Sequence, residues 1–148
     1  MDKVQLVKIG GNIIENPDVV ADFLKDFAAL KGPKILVHGG GKEATALAKK
    51  MGVEVSLVDG RRITDAANLE LITMVYAGKL NKSIVAQLQS LSCNAVGITG
   101  ADGNAYTAKK RAVLELDYGF VGDLTQINTN FFKNLLLQNN CPVCCAVS

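Results

Sequence analysis

The chain has 148 residues, a hydrophobic fraction of 49% and 20% charged residues, which suffices for one α/β domain with its own core. Its net charge is only +2, basic residues are interleaved with acids, aromatics make up 5% and Trp is absent, so nucleic acid is not the expected partner. No segment reads as a signal peptide or a membrane span, and cysteines 93, 141, 144 and 145 suit reduced, buried thiols of a cytoplasmic protein better than a disulfide framework.

Residues 4–9 (VQLVKI) read as a first strand, partly buried on both faces, that runs into Gly10-Gly11. A lysine inside a buried strand is costly without a partner. On an edge strand Lys8 would point to solvent; at the end of a central strand, beside a glycine turn, it would neutralise a phosphate. Asn16-Pro17 starts a helix, with Asn as cap and Pro in the first turn. Its apolar stripe is Val20, Phe23, Leu24, Phe27 and Leu30, stopped by Gly32-Pro33.

The pivot of the chain is residues 35–44, ILVHGGGKEA. A β-branched strand ends in three glycines and a helical pattern follows at once. The first N–H groups of a helix have no intrahelical partner and lie at the positive end of its dipole. Without side chains the turn lets an anion approach the backbone. Gly39, Gly41 and Ala44 also fit a dinucleotide fingerprint, with Asp59 as ribose acid. A phosphate-binding P-loop does not fit, because Glu43 follows Lys42 and Leu36 stands where its first glycine belongs.

The next helix packs through Ala44, Leu47, Ala48 and Met51. Residues 53–58 alternate as a half-buried strand, and Asp59-Gly60 makes a turn. Of the two arginines that follow, Arg61 reads as solvated and Arg62, nearer the helix start, as a clamp for a carboxylate. Thr64 or Asp65 caps a long helix over 66–91 with an interruption near Gly78. Its stripes are Leu71, Ile72, Val75 and Tyr76, then Ile84, Val85, Leu88 and Leu91; Asn81-Lys82 reads as a solvated pair.

A further strand covers 93–98, followed by a loop dense in turn formers. Residues 107–116 read as an exposed hairpin arm and 118–123 as a second short hairpin element. Asn128 or Thr129 caps a helix bearing Phe131, Phe132, Leu135 and Leu136, and 142–147 is a buried strand. Cys141 and Cys144 have the spacing of a redox pair, but such thiols should open a helix, and here a strand pattern continues. His38 is the only histidine and no second ligand pair exists, so no metal site is expected; it reads as hydrogen-bonded beside the glycine turn. Strands and helices alternate, which predicts a three-layer αβα sandwich with a mainly parallel sheet. Ligands of such sheets sit at the carboxyl ends of the strands. Lys8 with Gly10-Gly11, and Gly39-Gly40-Gly41, share one crevice if their strands are neighbours.

Four motifs in order, VKIGG at 7–11, VHGGG at 37–41, DGRRIT at 59–64 and AGKLNK at 77–82, resemble those of the acetylglutamate kinases within the amino acid kinase family. The resemblance covers nearly all of the chain and corresponds to the N-terminal, acceptor-binding and dimerising half of that fold. It implies transfer of the ATP γ-phosphoryl group, with Mg2+, to the side-chain carboxylate of N-acetyl-L-glutamate or another N-acylglutamate, in arginine biosynthesis. By the same resemblance Lys8 stabilises the phosphoryl group in flight and Gly10 and Gly11 donate to it. Gly40 and Gly41 hold the attacking carboxylate, and Arg62 the α-carboxylate. The family's second half, with most of the ATP site, a substrate asparagine, an organising aspartate and a second lysine, has no counterpart here. The chain by itself is therefore expected to bind acylglutamate weakly and to transfer no phosphate. A first strand so near Met1 leaves no room for the extra N-terminal helix of arginine-inhibited hexamers, which implies an arginine-insensitive homodimer joined through the helix from Ala66. The alternatives are another kinase of the fold (carbamate, aspartate, glutamate or nucleotide acceptor), a non-catalytic binding or dimerising fragment, and a dinucleotide-binding domain.

Overall fold

The computed structural model describes residues 3–113 and 115–148, the side chain of residue 12 excepted. In chain order its elements are β1 (Gln5–Ile9), α1 (Gly11–Ile14), α2 (Pro17–Ala29), β2 (Lys34–His38), α3 (Gly41–Met51), β3 (Leu57–Val58), β4 (Arg61–Arg62) and α4 (Ala66–Thr73). A π-helical turn (Met74–Leu80) leads directly into α5 (Asn81–Ser90), followed by β5 (Ala95–Ile98), β6 (Tyr106–Lys110), β7 (Gly122–Ile127), α6 (Thr129–Leu137) and β8 (Cys141–Cys145).

Four strands form one parallel sheet in the order β1-β2-β8-β5. Side chains alternate between its faces, and helices cover both faces except along β1, where Leu6 is 70% exposed and Lys8 is exposed on the second face. On one, Ile9, Leu36, Ala95 and Val143 pack on Val20, Leu24 and Phe27 of α2 and on Ile84 and Leu88 of α5. On the other, Ile35, Val37, Val96, Ile98 and Cys144 meet Phe131, Phe132 and Leu135 of α6. Every residue of β8 is buried, as a strand covered on both faces requires. This is the three-layer αβα arrangement expected from the alternation of elements.

The helix starts follow their caps. Asn16 accepts the N–H groups of Asp18 and Val19 at 3.1 and 3.3 Å, Asp65 accepts that of Asn68 at 2.8 Å, and Asn128 that of Phe131 at 3.1 Å. α3 stops at Gly52, whose left-handed φ of 69° suits a residue without Cβ.

Several elements differ from expectation. Residues 53–56 are not a strand: Val53 and Val55 insert into the cluster of Ala44, Ala48, Leu71 and Val75, and the Glu54 carbonyl accepts from Asn68 at 2.9 Å rather than from a neighbouring strand. The alternation there reports contact with helices. Only Leu57–Val58 pairs, antiparallel, with Arg61–Arg62. The long helix runs unbroken through the π turn. Met51 is 55% exposed and outside the core. The partner of β6 is β7, starting at Gly122; residues 118–120 instead strap Thr64, whose N–H donates to Tyr118 at 2.9 Å and whose carbonyl accepts from Phe120 at 2.7 Å. Gly119 permits this, because its φ is 72° and a Cβ would strike the Thr64 carbonyl. Of the expected arm 107–116, Leu114 lies outside the described residues.

Candidate functional site

β1 and β2 are parallel neighbours with Ile9 beside His38, so Gly10-Gly11 and Gly39-Gly40-Gly41 leave the sheet side by side at its carboxyl end. That juxtaposition is what a shared crevice needs. Gly40 is the N-cap of α3 and no side chain caps its first turn. A Cβ on Gly40 would collide with Leu80 and come within 3.0 Å of the Tyr76 ring. A Cβ on Gly41 would lie 3.6 Å from the Tyr76 hydroxyl. Glycine at position 40 thus lets Leu80 and Tyr76 of the π turn pack closely on the backbone.

Arg62 reaches the same turn from the β3–β4 hairpin. Its Nη2 donates to the Gly41 carbonyl at 3.1 Å and to Thr45 Oγ1 at 2.6 Å, and its Nη1 to Asn68 Oδ1 at 3.1 Å. These bonds use three of the five N–H donors of a guanidinium, leaving Nε and one Nη1 hydrogen for a ligand. Arg62 is half-buried whereas Arg61 is exposed. Asn68, buried under this loop, also donates to Glu54 and Asp65 at 2.9 and 3.0 Å. It fixes both ends of the 54–65 segment that carries the arginine.

Behind the glycines lies a buried polar chain. His38, 1% exposed, contacts the Gly39 carbonyl through Nδ1 at 2.9 Å and the Asn81 amide nitrogen through Nε2 at 3.1 Å. That same nitrogen donates to the Val143 carbonyl of β8 at 2.9 Å. Burial holds the imidazole pKa below its usual range, against the opposing effect of the Gly39 bond, so His38 is neutral at pH 7. It sits hydrogen-bonded beside the glycine turn, as its position in the sequence suggested. Asn81, in contrast, is not a solvated residue: it is 1% exposed. Its side chain lies over Gly97, where a Cβ would overlap the Asn81 carboxamide oxygen. Tyr76 is half-buried, its phenol pKa raised by burial against the nearby Arg62 charge.

Lys8 stands apart from this cluster. β1 is an edge of the described sheet and Lys8 is exposed, one residue before the strand end, with no ion pair among the described residues. This corrects the reading of a central strand. Its neighbour Ile9 faces the α2–α5 core, so Lys8 emerges on the opposite face. The dinucleotide reading also fails on topology. Asp59 occupies the β3–β4 turn, and the strand before it is outside the parallel sheet that such a fold requires. Burial pushes the Cys141 and Cys144 thiols up to about 12, the reverse of a redox pair. Among the described residues no three His, Cys, Asp or Glu side chains group to hold a metal, and no helix is long and apolar enough to cross a membrane.

Sequence reasoning missed Asn68, Tyr76 and Asn81. A signal existed for Asn81, which keeps helical spacing with Ile84, Val85 and Leu88 and so falls on a buried stripe. None existed for Thr45.

The sequence model of the amino acid kinase family matches residues 3–147. The acetylglutamate kinase of Cytophaga hutchinsonii is 54% identical over 144 residues, which cover 97% of this chain and 54% of that protein. That of Parabacteroides distasonis is 51% identical, covering 97% and 56%. The chain therefore spans about half the length of the curated relatives it matches. Among solved structures, a Streptococcus mutans protein superposes with a TM-score of 0.78 at 21% identity, over 99% of this chain and 59% of that one. An N-acetylglutamate synthase from Neisseria gonorrhoeae, complexed with coenzyme A and N-acetyl-glutamate, gives 0.78 at 21% identity, over 96% and 33%. Both share the fold.

Proposed function

Because the chain belongs to the amino acid kinase family, we propose that it is the acceptor-binding part of an enzyme that transfers the ATP γ-phosphoryl group to the side-chain carboxylate of an N-acylglutamate, N-acetyl-L-glutamate first among them. The observation that carries this reading is the pair of glycine turns on adjacent parallel strands, with the Arg62 guanidinium bonded to one of them. Identity of 54% to an acetylglutamate kinase supports this acceptor class.

In this reading Gly40 and Gly41 hold the attacking carboxylate at the N-terminus of α3, where the dipole favours an anion. The remaining Arg62 donors, Nε and one Nη1 hydrogen, take the α-carboxylate through charge-assisted hydrogen bonds, both Nη2 hydrogens being held by Gly41 and Thr45. Gly10 and Gly11 donate to the phosphoryl group, and Lys8 neutralises charge on it. The new bond joins a carboxylate oxygen to γ-phosphorus as the bond to the β–γ bridging oxygen breaks and ADP leaves. A carboxylate is ionised at pH 7, so no proton has to be removed and no general base is needed. Alignment and charge neutralisation supply the catalysis. This fits a site whose histidine is buried, neutral and fully bonded. Mg2+ would arrive on the ATP phosphates, since the described residues offer it no ligand cluster. The product, an acyl phosphate, belongs to arginine biosynthesis, and the setting is the cytoplasm. Homodimer formation is assigned to the helix from Ala66, where Met74 is 45% exposed.

The test compares acceptors in an ATP-dependent assay on a chain of the relatives' full length: N-acetyl-L-glutamate, N-succinyl-glutamate, aspartate, glutamate, carbamate and a nucleoside monophosphate. Turnover with N-acylglutamate is expected. Turnover with a nucleotide acceptor and none with N-acylglutamate overturns the reading.

A further inference from the structure

We propose that His38 and Asn81 are positioning residues that lock the Gly39–Gly40 peptide with its N–H directed at the ligand. The assignment rests on the reading of Gly40 and Gly41 as the acceptor-binding turn.

The protonation pattern follows from a chain of obligatory donors and acceptors. The Val143 carbonyl can only accept, so the atom bonded to it must be the Asn81 amide nitrogen. That nitrogen also faces His38 Nε2, which must therefore be bare and accepting. A neutral imidazole then carries its proton on Nδ1 and donates it to the Gly39 carbonyl. The relay starts on β8, in the centre of the sheet, and ends on the glycine turn.

Its consequence comes from peptide geometry. No cis peptide occurs among the described residues, and in a trans unit the C=O and N–H point in opposite directions. Holding the Gly39 oxygen toward His38 therefore turns the Gly40 N–H away from the imidazole. Gly40 is buried, and its N–H has no protein acceptor among the described residues. A buried, unbonded N–H is costly unless a ligand accepts from it. Two adjacent glycines leave that peptide otherwise free to rotate, so without the relay the donor would sample other directions.

The π turn explains how one helix reaches both sides of the glycines. In an α-helix, residues three and four apart share a face. Bonding i to i+5 widens the turn, so that Leu80 and Asn81, four and five residues beyond Tyr76, both stay on its side. Tyr76 and Leu80 then pack on Gly40 while Asn81 reaches His38.

Two substitutions separate orientation from packing. In His38→Asn the amide nitrogen stands two bonds from Cβ, the place of Nδ1, and can still donate to Gly39. In His38→Gln it stands three bonds away, the place of Nε2, and cannot. Binding of N-acetyl-L-glutamate to this chain, measured by calorimetry, should stay within about 3-fold of wild type for His38→Asn and weaken about 10-fold or more for His38→Gln. Equal losses in the two variants overturn the proposal. A second measurement needs no ligand: the imidazole 15N spectrum should show Nδ1 protonated and Nε2 bare in the wild type, and a mixture of tautomers in Asn81→Leu. Protonation at Nε2 in the wild type overturns the relay whatever the protein binds. Absence of acylglutamate binding by the wild type, with the Nδ1–H tautomer intact, would instead overturn the proposed function and leave the relay standing.

Discussion

The two glycine turns leave neighbouring strands, yet only one is braced. Around Gly40 a Cβ would strike Leu80 and the Tyr76 ring, the preceding peptide is held by His38, and the following carbonyl by Arg62. Around Gly10 and Gly11 a Cβ would meet nothing within 4 Å, and the helix that follows has four residues. The same residue type therefore stands in two different surroundings. At position 40 the neighbouring side chains favour glycine, because a Cβ there would displace the tip of Leu80 and crowd the Tyr76 ring. At 10 and 11 the described protein atoms do not. In the proposed reading, the turn at Gly40 is the acceptor side and is preorganised by this chain, and the turn at Gly10 is the phosphoryl side and is open.

The largest effect should come from breaking the braced turn. Gly40→Ala forces Leu80 and Tyr76 to move in a packed region, where overpacking typically costs about 1–3 kcal/mol. Denaturant melts should report that loss, and N-acetyl-L-glutamate binding should disappear from the folded fraction. Unchanged stability would mean the π turn yields easily and does not brace the glycines.

Next in size is Arg62→Ala. Charge-assisted bonds to a ligand are worth about 1.5–3 kcal/mol each, so acceptor KM should rise about 10- to 100-fold while the ATP KM stays within about 3-fold. Lys8→Ala on the open side should lower kcat instead, as expected of a contact made chiefly in the transition state. Parallel effects of both changes on nucleotide KM would erase the distinction between the two sides.

A smaller effect sharpens the contrast through pH. His38 is the only histidine, and burial lowers its folded-state pKa below the ordinary value of 6.5. The unfolded chain thus takes up a proton that the folded chain refuses. Stability is therefore full above about pH 6.5 and falls with acid, by at most about 1.4 kcal/mol per pH unit for one proton, until the folded pKa is reached. Urea melts between pH 7 and 5.5 should show this slope in the wild type and lose it in His38→Asn. A wild-type profile flat across that window would mean the imidazole is not held neutral.

How much of this was legible in the chain depends on where each residue's reason lies. The strands that end in glycine, the Asn16 cap, the apolar faces of α2 and α6 and the buried β8 follow from local pattern, because burial on a periodic face leaves a periodic sequence. The meeting of Arg62 with Gly41 was legible only through family motifs, since 21 residues separate them and no spacing rule joins a hairpin to a distant helix start. Residues 53–56 misled because their alternation comes from packing against α3 and α4. Asn81 hid as an ordinary polar residue. Its spacing with Ile84 and Leu88 placed it on the buried stripe of α5, but a polar side chain on an apolar stripe reads first as the stripe's solvated edge.

The smallest expected effect is the one that tests the comparison hardest. Gly11 opens α1, no Cβ clash awaits it, and its φ is not in the left-handed region. Alanine has the higher helix propensity, by about 0.8–1 kcal/mol at an interior position and less at a helix start. Gly11→Ala should therefore be neutral or stabilising by up to about 0.5 kcal/mol, in denaturant melts of this chain. N-acetyl-L-glutamate affinity should also stay within about 2-fold, since the braced turn is untouched. In a chain of the relatives' full length the same methyl group would stand where the transferring phosphoryl oxygens approach the backbone, and kcat should fall. A stability loss above about 1 kcal/mol would show that Gly11 is required by protein packing after all. Were kcat unchanged as well, the open turn would have no part in receiving phosphate.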